Sequence, residues 1–177
     1  EKNLRMLENN RVDGIILSVT REGANSVLYK EILDAGIPIV LFNRVCKEIN
    51  VPKVVINDHH MACLAVEHLI QQGFQRIAHI AGPLQLDITE CRKQGYIDSL
   101  IKYGMPIRQD YIIHAGILQE KGYAAMQQLL NVQPRPDAVF CVNDPVAIGA
   151  MKAIKDAGET PYVIGHIEEG KKGVTLC

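Results

Sequence analysis

The residues best suited to bind a ligand are side chains that directly follow predicted strands or begin the next helix. They carry amide, guanidinium, carboxylate and hydroxyl groups, the donors and acceptors that orient a sugar or nucleoside in a cleft. Because ligands of open α/β sheets bind at the carboxyl ends of strands, we expect these side chains to share one site. The candidates, with Ile117 as an apolar neighbour, are Ser18, Asn43, Arg44, Arg92, Ile117, Asn143 and Asp144.

Five of the six polar candidates also have an ordinary structural explanation. Asn143 and Asp144 open a predicted helix, so either of them can be its N-cap. Arg44 and Arg92 can be solvated surface charges, because arginines are mostly exposed. Ser18 can be an ordinary strand-end residue. The sequence leaves these alternatives open.

Strands and helices alternate along most of the chain, which predicts βαβ units and a mostly parallel sheet. The β-branched runs occupy residues 12–18, 37–42, 53–56, 76–80, 111–115, 137–142 and 162–165. Apolar residues at helical spacing occupy residues 4–10, 24–35, 58–72, 88–103, 121–130 and 146–157. The sequence therefore predicts an α/β protein.

The helix predicted over residues 58–72 is the clearest example of this periodicity. Asp58 is placed to cap its N-terminus and Gly73 to end it. Its predicted apolar face comprises Ala62, Ala65, Val66, Leu69 and Ile70.

One interval breaks the alternation, because residues 43–52 form only a polar loop between two predicted strands. No crossover helix fits there. This indicates a sheet edge, or the point where the chain leaves one lobe for another. We place that crossover near residues 56–58.

Composition excludes several classes of function. The net charge of −1 gives no basic surface for nucleic acid. No apolar run reaches the roughly 18 residues of a membrane span, so we expect no membrane contact. The five cysteines are odd in number and form no CxxC pair, which favours reduced thiols in the cytoplasm and no metal site. Walker, GxGxxG and GxSxG motifs are absent, and we expect no cofactor and no catalytic residues.

Five segments, in this order and spacing, resemble the sensor core of the lac-repressor/gal-repressor family of bacterial transcriptional regulators. The last is the most specific, and the likeness covers most of residues 1–158. The segments are RVDGIILS (residues 11–18), IPIVLFNR (37–44), AVEHLIQQGFQRIAHIAGP (65–83), ITECRKQGYIDSL (88–100) and RPDAVFCVNDPVAIGAMKAIKDAG (135–158).

The resemblance implies two Rossmann-like lobes of parallel sheet flanked by helices, as in type I periplasmic binding proteins, with the ligand between them. Residues 1–56 would be a partial N-terminal lobe and residues 57–158 the C-terminal lobe. It further implies that Arg92 and Asn143 contact the effector, while Asn43 and Arg44 line the cleft. Asn43 stands where the family usually has aspartate, and Ile117 where it often has an aromatic residue.

The implied function is sensing of a small polar effector, a sugar or nucleoside, which modulates operator binding by a homodimer. Operator DNA would be contacted by a headpiece outside these residues. A periplasmic sugar-binding protein is the chief alternative, and a Rossmann-type enzyme acting on a sugar phosphate is the second.

Residues 159–177 do not continue the pattern. We interpret them as a tail whose pieces, from the C-terminal and the returning N-terminal lobe, are not contiguous in the native chain.

Overall fold

The computed structural model describes residues 1–20, 25–84 and 86–161. These residues contain two three-stranded sheets, and the strands of each sheet are parallel. The strands are β1 (Ile15–Leu17), β2 (Ile39–Phe42), β3 (Lys53–Val54), β4 (Ile77–Ala81), β5 (Ile112–His114) and β6 (Ala138–Cys141). The helices are α1 (Lys2–Asn9), α2 (Ser26–Asp34), α3 (Asp58–Gln71), α4 (Asp87–Lys102), α5 (Gln119–Leu130) and α6 (Asp144–Asp156), with a 3₁₀ turn at Gln109–Tyr111. The predicted α/β class is confirmed. The strand predicted at residues 162–165 lies outside the described residues.

The first sheet has the strand order β1-β2-β3. Its core face carries Ile15, Ile39 and Leu41, which pack with buried residues of α1 and α2. On the opposite face Ile16 is 77% exposed, because no described element covers it. No helix lies between β2 and β3, as predicted, and β3 is the outer strand of the sheet in the described part of the chain.

The second sheet has the order β5-β4-β6, and all five residues of the central strand β4 are buried. Successive side chains of β4 point to opposite faces. Ala78 and Ile80 pack in a cluster with α5 and α6, whereas Ile77 packs with Val66 of α3 and Tyr96 of α4. Helices therefore cover both faces of this sheet, which explains why β4 is buried throughout and apolar at every position except His79.

The cap predicted for α3 is wrong by one residue. The side chain of Asn57, not Asp58, accepts the hydrogen bond from the His60 backbone N–H, at 3.0 Å. Asp58 is the first helical residue, and its carboxylate turns to Arg92 instead. The helix ends as predicted, because Gly73 adopts a positive φ of 94° that favours glycine.

The apolar face predicted for α3 is only partly buried. Ala62, Val66 and Leu69 are buried and Ile70 is half-buried, whereas Ala65 is exposed. No helix in the part of the chain that the structure describes is long and apolar enough to cross a membrane.

Candidate functional site

A cavity of about 350 Å³ brings together every candidate residue except Ser18. It lies where β2, β5 and β6 end and where α4 and α6 begin. Asn43 and Arg44 contribute from the first sheet, and the other residues come from the elements of the second sheet. Its lining residues are Asn43, Arg44, Leu86, Ile88, Thr89, Arg92, Ile117, Val142, Asn143 and Asp144.

Ser18 lines neither this cavity nor the smaller one beside it. The neighbouring cavity, of about 180 Å³, is bordered by the next residue, Val19, together with Asn43 and Arg44. Ser18 and Val19 both follow β1, and only Val19 lines a cavity. The structure therefore does not bring Ser18 together with the other candidates.

Arg92 links three elements around the cavity. Its Nε donates to Asp58 Oδ1 at 2.8 Å, and its Nη2 lies 2.7 Å from the same oxygen. Its Nη1 donates to the carbonyl oxygen of Val142 at the end of β6. The Arg92 side chain is 23% exposed and that of Asp58 only 11%. The alternative of a solvated surface charge is therefore wrong for Arg92, which is paired, largely buried and lines the cavity.

Asn143 uses its side-chain amide to join two loops. Its Oδ1 accepts from the Val146 N–H at 3.0 Å, so Asn143 and not Asp144 is the N-cap of α6. Its Nδ2 donates to the Ile117 carbonyl oxygen at 3.1 Å, which fixes the loop after β5. Asp144 lies exposed in the first turn of α6, where its negative charge is favourable near the positive end of the helix.

The backbone of Asn43 and Arg44 is held between β1 and β3. The Asn43 N–H donates to the Val54 carbonyl oxygen at 3.0 Å, and the Arg44 carbonyl oxygen accepts from the Val19 N–H at 3.3 Å. Asn43 has a positive φ of 59°, a conformation that asparagine tolerates better than most residues. Within the described ranges the half-buried Arg44 side chain makes no hydrogen bond or ion pair. Arg44 lines both cavities, and its guanidinium has no partner among the described residues.

An ion pair connects the two sides of the cleft. Lys47 Nζ, in the loop after β2, contacts the carboxylate of Asp87, the first residue of α4. This ion pair therefore connects the N-terminus of α4 to the loop that follows β2 of the first sheet.

Thr89 is a cavity residue whose burial the sequence does not reveal. It is 1% exposed, and its Oγ1 has no hydrogen-bond partner among the described residues. Gly82 packs against it so closely that a Cβ at that position would lie 2.7 Å from Thr89 Oγ1. Leu86 and Ile88 also line the cavity, and no polar pattern marks such apolar residues in the sequence.

No three His, Cys, Asp or Glu side chains in the described part of the chain meet to hold a metal ion.

The family model for periplasmic binding proteins and the sugar-binding domain of the LacI family matches residues 1–174. The chain belongs to this family. The resemblance noted in the sequence is confirmed, and with it the periplasmic-binding-protein-like fold.

Curated and solved relatives of this LacI-family chain are regulators. The probable HTH-type transcriptional repressor ExuR of Bacillus subtilis (strain 168) is 39% identical over 153 residues, which are 86% of this chain and 46% of the relative. A LacI-family regulatory protein from Chloroflexus aggregans has a TM-score of 0.75 and 32% identity, covering 89% of this chain and 57% of that one. The transcriptional regulator CelR in complex with cellobiose has a TM-score of 0.77 and 30% identity, covering 89% and 48%. The chain thus spans about half the length of the relatives it matches.

Proposed function

We propose that this chain is the ligand-sensing core of a bacterial DNA-binding transcriptional regulator. A small polar effector, a sugar or a nucleoside, would bind in the 350 Å³ cavity and modulate operator binding. The observation that carries the proposal is the convergence of polar groups from the two sheets on one cavity. Arg44 and Asn43 approach from the first sheet, and Arg92 and Asn143 from the second.

The chemistry of the lining supports a ligand rich in hydroxyl groups. Guanidinium and amide groups offer several directional donors, and Ile117 and Val142 offer apolar contact to the carbon face of a ring. The solved relative CelR was captured with cellobiose. The cavity lining contains no nucleophile paired with a base, which supports binding rather than catalysis.

The proposed mechanism is a two-state switch. An effector that contacts both walls binds the closed form better and shifts the population toward it. In a homodimer, closure would change how two DNA-binding headpieces, outside these residues, are spaced on a palindromic operator. The repressor ExuR, as a curated relative, supports such a cytoplasmic regulator rather than a transporter component.

A thermal-shift scan of the full-length protein against sugars, sugar phosphates and nucleosides tests the proposal. A ligand at 100 times its Kd should stabilise the folded state by about 2.7 kcal/mol. One class of compound is expected to raise the melting temperature. If none does, the proposed effector class is wrong.

Arg44→Ala is the sharpest site variant, because it removes a guanidinium that has no partner within the described chain. We expect it to raise the Kd for the compound found in the scan at least tenfold, measured by calorimetry. Arg11→Ala is the matched control, since Arg11 is exposed, precedes β1 and lines neither cavity. Unchanged affinity in Arg44→Ala would remove Arg44 from the site.

A further inference from the structure

A row of polar side chains fills the seam between α3 and α4, and none of them lines the 350 Å³ cavity. His59, Cys63 and Glu67 are spaced four residues apart on α3, so they share one face of that helix. His59 pairs with Asp98 of α4, and Glu67 pairs with Lys102 of α4, each at 2.8 Å. Cys63 lies between these two contacts.

The hydrogen bonds define a direction for proton transfer. His59 Nε2 lies 2.8 Å from Asp98 Oδ2, and Asp98 Oδ1 accepts from Gln94 Nε2 at 2.7 Å. These bonds lower the pKa of Asp98, so its carboxylate is ionised and only accepts. Nε2 then donates to this carboxylate, and in the tautomer with a single ring proton Nδ1 is left as an acceptor. Cys63 Sγ lies 3.8 Å from Nδ1 and donates to the Gly95 carbonyl oxygen at 3.5 Å, so its proton must turn from that oxygen to reach the imidazole.

Close helix packing holds this arrangement in place. A Cβ on Gly95 of α4 would lie only 2.5 Å from the His59 carbonyl oxygen and 2.8 Å from Ala62 Cβ. The helices can approach this closely because residue 95 has no side chain. Ser99 Oγ also donates across the seam to the Cys63 carbonyl oxygen, at 3.4 Å. The spacing of thiol, imidazole and carboxylate is therefore set by the backbones of α3 and α4.

The same geometry argues against a metal ion bound by all three groups. Cys63 approaches one ring nitrogen of His59 and Asp98 approaches the other. The two nitrogens of an imidazole ring point away from each other, so one ion cannot bind thiolate, imidazole and carboxylate together. The order carboxylate–imidazole–thiol is instead the arrangement that activates a nucleophile.

We propose that Cys63 is a nucleophilic thiol that reacts with small hydroperoxides, with His59 as its proton acceptor and Asp98 as the positioning residue. His59 Nδ1 takes the thiol proton, and the sulfur attacks the terminal oxygen of the hydroperoxide. The S–O bond forms as the O–O bond breaks, so the sulfur is oxidised by two electrons and the peroxide is reduced. The leaving alkoxide, or hydroxide for hydrogen peroxide, takes the proton from His59. The products are a sulfenic acid and an alcohol or water.

The other described thiols provide internal comparisons. Cys91 is exposed whereas Cys63 is half-buried, so exposure alone predicts that Cys91 reacts first. Burial, and secondarily the carboxylates of Asp87 and Asp58, raise the pKa of Cys91. Burial raises the pKa of Cys141 to about 12. The arrangement of His59 and Asp98 predicts the reverse order, with Cys63 first.

Site-resolved labelling of the full-length reduced protein tests this inference. The protein is treated with hydrogen peroxide at pH 7, sulfenic acid is trapped with dimedone, and each cysteine peptide is quantified by mass spectrometry. We expect Cys63 to be labelled at least tenfold faster than Cys91. His59→Gln should lower the Cys63 rate at least tenfold, whereas His60→Gln, the same change at the next, exposed residue, should alter it less than twofold.

Asp98 is tested through its effect on His59. Asp98→Asn should slow Cys63 labelling, and Asp98→Glu, which retains a carboxylate, should keep more of the rate. The Cys91 rate, measured in the same samples, reports any general loosening of the protein. A Cys63 rate that does not exceed that of Cys91, or that stays constant or rises in His59→Gln, would overturn the proposal. A rise would mean that His59 only shields the thiol.

Discussion

At the scale of single residues, His79 shows how burial selects a protonation state. The residue is fully buried in β4, and its ring lies 4.8 Å from the Phe140 ring and 5.2 Å from the Tyr96 ring. Its Nδ1–H donates to the Phe140 carbonyl oxygen at 2.9 Å, while Nε2 has no partner among the described residues. Burial lowers the pKa of His79 from 6.5 to about 4. The folded protein therefore holds this imidazole neutral at pH 7.

This pKa makes stability depend on pH in a defined direction. Between pH 6.5 and pH 4 the unfolded state binds a proton at His79 that the folded state does not bind, so stability falls as the pH falls through this window. From the pKa difference, the full loss at this one site is about 3 kcal/mol. Urea unfolding at pH 7 and pH 5 should show part of this loss.

The variant that isolates the effect is His79→Gln. Glutamine does not titrate, so the loss of stability between pH 7 and pH 5 should shrink even though the variant is less stable overall. His60→Gln, at an exposed histidine, should retain the full pH dependence. An identical pH dependence in His79→Gln and the wild-type protein would show that His79 does not titrate as its burial requires.

The candidate site illustrates which residue roles a sequence can predict. Position after a strand predicts that Asn43, Arg44 and Asn143 lie together, because parallel strands bring their carboxyl ends to one edge, and position on the incoming helix adds Arg92. The structure brings these four residues to one cavity. The partners of these residues depend on tertiary packing. Asp58 precedes Arg92 by 34 positions, and only the packing of α3 beside α4 brings the two together. The same packing places Asp98 beside His59, a contact that no spacing in the sequence indicates.

At the scale of elements, periodicity predicted every helix and strand that the structure describes, with shifts at their ends. The strand predicted over residues 53–56 is paired only at Lys53 and Val54. Val55 and Ile56 are β-branched yet exposed, because no described strand lies beyond β3 to pair with them. Composition identifies the residues that favour a strand, but pairing decides where the strand ends.

Close contact between α5 and α6 depends on two glycines. A Cβ on Gly149 would lie 1.9 Å from the Gln119 carbonyl oxygen, and a Cβ on Gly122 would lie 2.1 Å from the Val146 carbonyl oxygen. Each glycine is thus pressed against the backbone of the other helix. A side chain at either position must push the two helices apart.

We therefore expect Gly149→Ala to destabilise the protein. Overpacking typically costs about 1–3 kcal/mol, whereas alanine gains only about 1 kcal/mol over glycine in helix propensity. A Cβ 1.9 Å from a backbone oxygen calls for the upper end of that cost, so the net loss in urea unfolding should be about 2 kcal/mol. Gly14→Ala is the control, because its Cβ would meet Pro38 Cγ at an ordinary 3.4 Å. Equal stability of the two variants would mean that α5 and α6 separate at little cost.

At the scale of the whole molecule, the cavity has walls from two separately built sheets. Asn43 and Arg44 belong to the wall formed by the first sheet, and Arg92 and Asn143 to the wall formed by the second. Each sheet has its own buried cluster, so each wall is packed separately from the other. The division into lobes of residues 1–56 and 57–158 remains our prediction. A ligand that contacts both walls should change the distance between them.

Closure has a measurable consequence for the full-length protein. The compound identified in the thermal-shift scan, at saturation, should lower the radius of gyration in small-angle X-ray scattering, because a ligand shifts the population toward the form it binds better. Arg44→Ala leaves the contacts of the second wall intact, including the Arg92–Asp58 pair. At a ligand concentration that saturates this variant, compaction should be smaller than in the wild-type protein, since one wall has lost its guanidinium. If saturated Arg44→Ala compacts as fully as the wild-type protein, ligand contacts with the second wall and with Asn43 are sufficient to close the cleft. An unchanged radius of gyration in the wild-type protein would mean that the effector signals without closing the cleft.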